Sequence, residues 1–347
     1  MIYNPLGHSD IKISRICLGT MTWGEQNTQQ EAFAQMEMAL DYGVNFWDTA
    51  ELYAVPPRAE TYGATETIIG NWLNKSGRRD EIVLASKIAG PGEFVRHIRG
   101  GSSRFNREQI HQALEGSLKR LQTDYLDLYQ LHWPERSTNY FGQLGFTPPS
   151  QPEDTTDFEE TLEVLSELVK EGKIRQIGIS NETPWATMKY LQIAEAKGLQ
   201  KIVSVQNPYS LLNRSYEVGM AEIAYQENVQ LLAYSPLGFG VLSGKYLNGQ
   251  RPANARITLY PHYDRYLNEN AVKATQAYAD LAHDHNLSPT QLALAFVNSR
   301  PFVAANIIGA TTLEQLKENI ESIDVTLSET VLQEIEQIHS QYPIPAP

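Results

Sequence analysis

The sequence predicts an α/β fold in which eight parallel strands close into a single (β/α)8 TIM barrel, with an N-terminal β-hairpin and an extra C-terminal helix. Three observations predict it. Short apolar runs alternate with longer stretches of helical period along the whole chain. Parallel neighbours need a crossover long enough to hold a helix, so this alternation argues for a parallel sheet. Eight such units suit a closed barrel better than an open sheet, and 347 residues is a length one large barrel can reach.

The elements follow in order. Residues 3–13 read as a hairpin around the turn-prone Gly7-His8-Ser9-Asp10. Strands are expected at 16–18, 45–48, 82–87, 126–132, 174–180, 202–206, 230–235 and 304–308. Between them, Ile110, Leu114, Leu118 and Leu121 share one helical face, as do Leu162, Leu165, Leu168 and Val169. After the eighth unit, residues 327–342 form one more helix, with Ser328 as its N-cap and Val331, Leu332, Ile335 and Ile338 inward. Long loops are expected at 89–105, 133–157 and 236–268, beyond strand C-termini, where a barrel builds its site. No domain boundary, short repeat or low-complexity tract interrupts residues 1–347, which read as one domain.

Composition narrows the partners. The chain has 28 Lys+Arg against 41 Asp+Glu, a net charge of −13, which repels nucleic acid and anionic lipid. Cys17, the single cysteine, excludes an intrachain disulfide and fits a reducing compartment. The first residues lack a basic start with an apolar run, and no segment approaches the roughly 20 apolar residues of a membrane span. A cytoplasmic protein with no membrane and no nucleic-acid partner is expected. Nothing in the sequence specifies an oligomeric interface.

Chemistry gathers at the strand ends. One strand after another finishes on a polar residue: Asp48, Lys87, His132, Ser180 with Asn181, Gln206, and Tyr234 with Ser235. In a barrel these ends converge on one mouth. Each residue alone has a bland account, as a cap, a surface charge or a loop aromatic; their recurrence at successive strands favours a site. A tyrosine hydroxyl ordinarily titrates near pH 10, and a neighbouring ammonium lowers that value. Lys87 is expected to act so on Tyr53, with Asp48 holding the ammonium charged and His132 donating to the same substrate oxygen. Such a group protonates an oxyanion. The glycine-rich stretch 237–245 lacks the GxGxxG spacing of a Rossmann turn, though its bare backbone and Lys245 suit a pyrophosphate. No zinc or calcium motif occurs, so no metal is expected.

The chain also resembles a known family, the aldo-keto reductases, over essentially its whole length. The resemblance is carried by LGTMTWG (18–24), NFWDTAELY (45–53), ASKIAG (85–90), SLKRLQTDYLDLYQLHWP (117–134) and GKIRQIGISN (172–181). It continues through VQNPYSLLNR (205–214), LLAYSPLGFGVLSGKY (231–246) and IIGATTLEQLKENI (307–320). The insertion AVPPRAETYG (54–63) and NPYSLLNR are similar to a bacterial, Tas-like subgroup.

The resemblance implies NADPH laid across the barrel mouth and reduction of a small aldehyde or ketone. It implies a catalytic tetrad of Asp48, Tyr53, Lys87 and His132, with Tyr53 as proton donor. Ser180, Asn181 and Gln206 correspond to residues that hold the nicotinamide carboxamide, and Tyr234 to the ring stacked on the nicotinamide. Ser235, Leu237, Gly240 and Lys245 correspond to the pyrophosphate loop, and Gly309, Thr311, Gln315, Glu318 and Asn319 to the adenosine end. The segment GATTLEQ lacks the basic residue some members place beside Thr311, leaving Lys245 or Arg256 as the source of charge for a 2′-phosphate. Trp23 and Trp133 are expected to wall the substrate pocket. Arg96, His97, Arg99 and Arg104 form a basic cluster that suits an acidic substrate or a solvated loop. Two other readings stand: a cofactor-binding regulatory protein like the potassium-channel β subunits, and a Schiff-base aldolase using Lys87.

Overall fold

A computed structural model describes residues 1–101 and 103–347; residue 102, inside the expected 89–105 loop, lies outside the described residues. The hairpin is β1 (Tyr3–Pro5) with β2 (Lys12–Ser14), paired antiparallel. The barrel is built from β3 (Ile16–Gly19), β4 (Phe46–Asp48), β5 (Val83–Ile88), β6 (Leu126–Leu131), β7 (Ile174–Ser180), β8 (Ile202–Pro208), β9 (Gln230–Tyr234) and β10 (Val303–Ile308). All eight pair in parallel, and β10 closes onto β3.

Helices α1 (Gln29–Asp41), α2 (Ala64–Ser76), α3 (Arg107–Leu121), α4 (Phe158–Lys170), α5 (Pro184–Lys197) and α6 (Met220–Gln226) link consecutive strands from β3 to β9. Between β9 and β10 lie the short α7 (Arg256–Leu259), within the expected 236–268 loop, then α8 (Glu269–Asp284) and α9 (Pro289–Asn298). The chain ends through α10 (Leu313–Glu321) and α11 (Glu329–Gln341), and Ser328 caps α11 by accepting from the Val331 amide. Polar side chains cap several other helices too. Thr28 and Ser288 form capping boxes with Glu31 and Gln291, and Thr183 caps α5 ahead of Pro184.

The core has two layers. Barrel strands and helices bury a continuous apolar belt that includes Trp47, Trp72, Tyr129, Leu165 and Phe296. Inside the barrel, Cys17, Phe46, Val83, Leu128, Val203 and Leu232 pack against Leu6, Ile11 and Ile13 of the hairpin. The hairpin therefore plugs the N-terminal end of the barrel. Its turn sits so close that a Cβ on Gly7 would lie 2.5 Å from the Val203 carbonyl oxygen, and its φ is +57°. With that end filled, only the C-terminal end is open to ligand.

Strand bounds shift by a residue or two from the sequence expectation. His132 and Ser235 follow their strands rather than ending them, Lys87 precedes the last residue of β5, and Gln206 precedes the last two of β8. No described helix is long and apolar enough to cross a membrane.

Candidate active site

The polar ends of β4 to β9 converge on one cleft of about 1320 Å³. Asp48, Tyr53 and His132 line its floor, while Lys87 lies wholly buried beneath them. Lys87 Nζ donates to Asp48 Oδ2 at 2.6 Å, to the Thr49 carbonyl at 2.8 Å and to Tyr53 Oη at 3.4 Å. Burial opposes the ammonium, but Asp48 and Tyr53 outweigh it and Lys87 titrates above its ordinary value. The aspartate thus keeps a fully desolvated lysine charged.

Tyr53 corrects one expectation. Burial lifts its pKa above the ordinary value, and Lys87 opposes that shift without reversing it. The hydroxyl therefore holds its proton at neutral pH. His132 packs edge-on to the Tyr53 ring, with centroids 5.8 Å apart. Burial and then Lys87 depress its pKa well below the usual value, so the imidazole is neutral. Its Nδ1 is buried without a partner.

Behind the floor a polar network ties the strands together. Gln206 and Gln130 donate to Asp48 Oδ1 at 2.8 and 3.1 Å. Asn181, at φ +55°, donates to the His132 carbonyl at 2.9 Å and accepts from Tyr234 Oη at 2.6 Å. Ser180 Oγ donates to the Gln206 carbonyl at 2.8 Å. Gln130 was not among the residues expected from the sequence. Its signal was present, an amide two residues before His132 in a strand whose other hydrophilic residue is Asp127.

Every residue expected at the cofactor contacts lines the same cleft: Ser180, Asn181, Gln206, Tyr234, Ser235, Leu237, Gly240, Lys245, Gly309, Thr311, Gln315, Glu318 and Asn319. Some are already engaged within the protein. Gln315 Oε1 accepts from the Thr311 amide at 3.0 Å, Asn319 donates to the Gly309 carbonyl at 3.1 Å, and Glu318 accepts from Ser288 at 2.6 Å. Lys245 and Arg256 also line the cleft, and neither has a carboxylate partner among the described residues. Burial lowers the pKa of both, and Arg256 further lowers that of Lys245. Arg265 also lines the cleft, donates to Tyr266 Oη at 2.8 Å and likewise has no carboxylate partner among the described residues. Three such cations in one cleft make a site for anionic groups.

The wall beyond Tyr53 is apolar: Leu52, Val55, Phe94, Trp133 and Phe141 all face the cleft. Trp133 stands 4.9 Å from His132, ring to ring, as a wall should. Trp23 does not. It is core, wholly buried, with Nε1 donating to Gln35 at 3.1 Å. The basic cluster is likewise reassigned. Arg99 is buried on Glu51, Arg104 binds Glu135 and Asp154, and Arg96 pairs with Glu93 at the exposed rim. Arg99 and Arg104 fasten the loop to its neighbours, while Arg96 stays in the solvated loop, paired within it, as one of the two expected accounts has it. Glu51 also accepts from the Ala89 amide at 2.6 Å and from Tyr62 at 3.0 Å, joining the Tyr53 turn to the segment after β5.

A parallel barrel with a buried lysine–aspartate pair, a tyrosine and a neutral histidine at its mouth defines a class, the (β/α)8-barrel oxidoreductases. The chain belongs to the aldo/keto reductase family, whose model matches residues 15–340. Within it the chain falls in the Tas-like subgroup: it is 52% identical over 348 residues to "Protein tas" of Escherichia coli (strain K12), covering 100% of both chains. It is 34% identical to "Uncharacterized oxidoreductase YrpG" of Bacillus subtilis (strain 168), over 97% of this chain and 96% of that one. A "Probable voltage-gated potassium channel subunit beta" of Arabidopsis thaliana is 30% identical, over 99% of this chain and 98% of its own length.

Proposed function

We propose that this oxidoreductase reduces small aldehydes or ketones with NADPH, Tyr53 supplying the proton, and that residues 1–347 act as one domain. The observation that carries the reading is the Tyr53 hydroxyl, protonated at neutral pH, 3.4 Å from the locked Lys87 ammonium and beside a neutral histidine. Such a hydroxyl gives up its proton only where negative charge builds next to it, and the ammonium then steadies the phenolate left behind. His132 keeps one ring N–H to hold the carbonyl oxygen in place. The apolar wall from Leu52 to Phe141 accommodates the body of the substrate and limits water near the developing charge.

The residues present fit a dinucleotide. Lys245 and Arg256 offer unmatched positive charge to phosphates, which supports NADPH over NADH. A Cβ on Gly240 would lie 2.7 Å from Lys245 Nζ, so a bare backbone leaves that ammonium its place. Bound there, the dinucleotide would supply hydride to the carbonyl carbon. Ser180, Asn181 and Gln206 would hold the nicotinamide carboxamide, Tyr234 would back its ring, and the cleft from Gly309 to Asn319 would take the adenosine. The aldolase reading loses its basis, because a lysine kept charged by Asp48 is a poor nucleophile.

A second reading is favoured by the similarity to a potassium-channel subunit beta: tight cofactor binding with little turnover, serving a partner. NADPH titration followed by protein fluorescence, then NADPH oxidation with a panel of simple aldehydes, separates the two. Binding with turnover is expected. Binding without turnover on any carbonyl transfers the reading to a cofactor-sensing partner protein.

A further inference from the structure

Gln130 is wholly buried on β6 and does not reach the cleft. The hydrogen-bond pattern around it fixes which way two amides face. Asp48 Oδ2 is taken by Lys87, leaving Oδ1 to accept from both Gln130 and Gln206. A carboxylate only accepts, so both glutamines must turn their NH2 groups toward it. The remaining N–H of Gln206 faces Gln130 Oε1 at 3.2 Å. Every N–H of Gln206 is therefore used inside the protein, and its Oε1 has no partner among the described residues. Gln206 can offer the cleft an acceptor and nothing else.

We propose that Gln130 is a positioning residue that locks Gln206 as an acceptor facing the cleft and links that subsite to the Asp48–Lys87 pair. The inference rests on the dinucleotide reading above and deepens it. The group recognised at Gln206 must be a hydrogen-bond donor, as the N–H of a carboxamide is and an acetyl group is not. Removing Gln130 frees one Gln206 N–H and loosens its side chain, so the site no longer distinguishes donor from acceptor. Asp48 loses a donor in the same step, which couples recognition of the headgroup to the setting of Lys87 under Tyr53.

The test compares NADPH with its reduced 3-acetylpyridine analogue, whose acetyl group lacks the N–H, by fluorescence titration. Wild-type protein should favour NADPH by about tenfold, the worth of one good hydrogen bond. Gln130→Met should bring the ratio near one, whereas a loss of packing alone weakens both ligands equally and leaves the ratio intact. Gln130→Glu provides a second variant. Its carboxyl beside Asp48 shares a proton at low pH, as adjacent carboxylates do, and then reproduces both bonds of the glutamine. Its ratio should approach wild type near pH 6 and collapse near pH 9. A wild-type ratio near one, or an unchanged ratio in folded Gln130→Met, overturns the inference while leaving the dinucleotide reading standing. If neither ligand binds, both fall together.

Discussion

A fully buried lysine survives here because Asp48 neutralises it at 2.6 Å and Thr49 takes a further N–H. Lys87→Met leaves Asp48 buried and unpaired, which should cost about 3–5 kcal/mol by urea denaturation. Lys87→Met with Asp48→Leu should recover much of that stability without recovering turnover, separating the pair's structural role from its chemical one. His132 makes stability depend on pH. Its folded-state pKa lies below the unfolded value of about 6.5, so the unfolded chain binds the proton first. Stability is complete above that unfolded value and falls as pH drops toward the folded one. His132→Asn should flatten the decline in Tm between about pH 7 and 5; an equally steep decline would remove His132 as its source. At this scale the sequence showed which residues meet, because strand ends are readable. It did not show the sign of the Tyr53 shift, which depends on how much of the site is dry. Gln130 escaped for a related reason: one amide in a buried strand has no meaning until its neighbours across the barrel are known.

The elements that hold the site were legible to differing degrees. Strands stood out as apolar runs, and Ser328 announced the last helix. The region between β9 and β10 was harder, because α7 sits in a stretch read as loop and α8 adds a helix no strand count requires. The fate of Arg99 was also hidden. Its partner Glu51 is 48 residues away in sequence, and only the fold brings them together. Close helix packing gives this scale its test. A Cβ on Gly70 of α2 would lie 2.1 Å from the Arg120 carbonyl on α3, so backbone would have to move. Gly70→Ala should destabilise by about 1–3 kcal/mol in a denaturant titration despite the better helix propensity of alanine. A neutral result would mean that α2 and α3 slide freely against each other.

Across the whole molecule the charge pattern is uneven. The net charge is −13, yet the cleft holds Lys245 and Arg256 without carboxylate partners among the described residues. The overall sign was readable from composition, and Lys245 and Arg256 from the resemblance; that neither meets an acid was not, since it depends on which acids each cation reaches. Screening weakens attraction between exposed charges, so NADPH affinity should fall with added salt, and more steeply than NADH affinity if a 2′-phosphate meets a cation. Arg256→Met should narrow the NADPH-to-NADH preference by about tenfold in fluorescence titrations, and Lys245→Met should weaken both ligands. Equal losses for both ligands in Arg256→Met would place the 2′-phosphate elsewhere.

The most direct test of the account is the turnover of Tyr53→Phe beside wild type, with NADPH and benzaldehyde, and cofactor affinity measured on the same samples. Removing one hydroxyl takes away the proposed proton donor and little else, so kcat should fall by at least about 100-fold while NADPH Kd stays within about twofold. Wild-type turnover in the variant would show that the proton comes from another group and that the arrangement of Asp48, Lys87 and His132 around Tyr53 serves some other end.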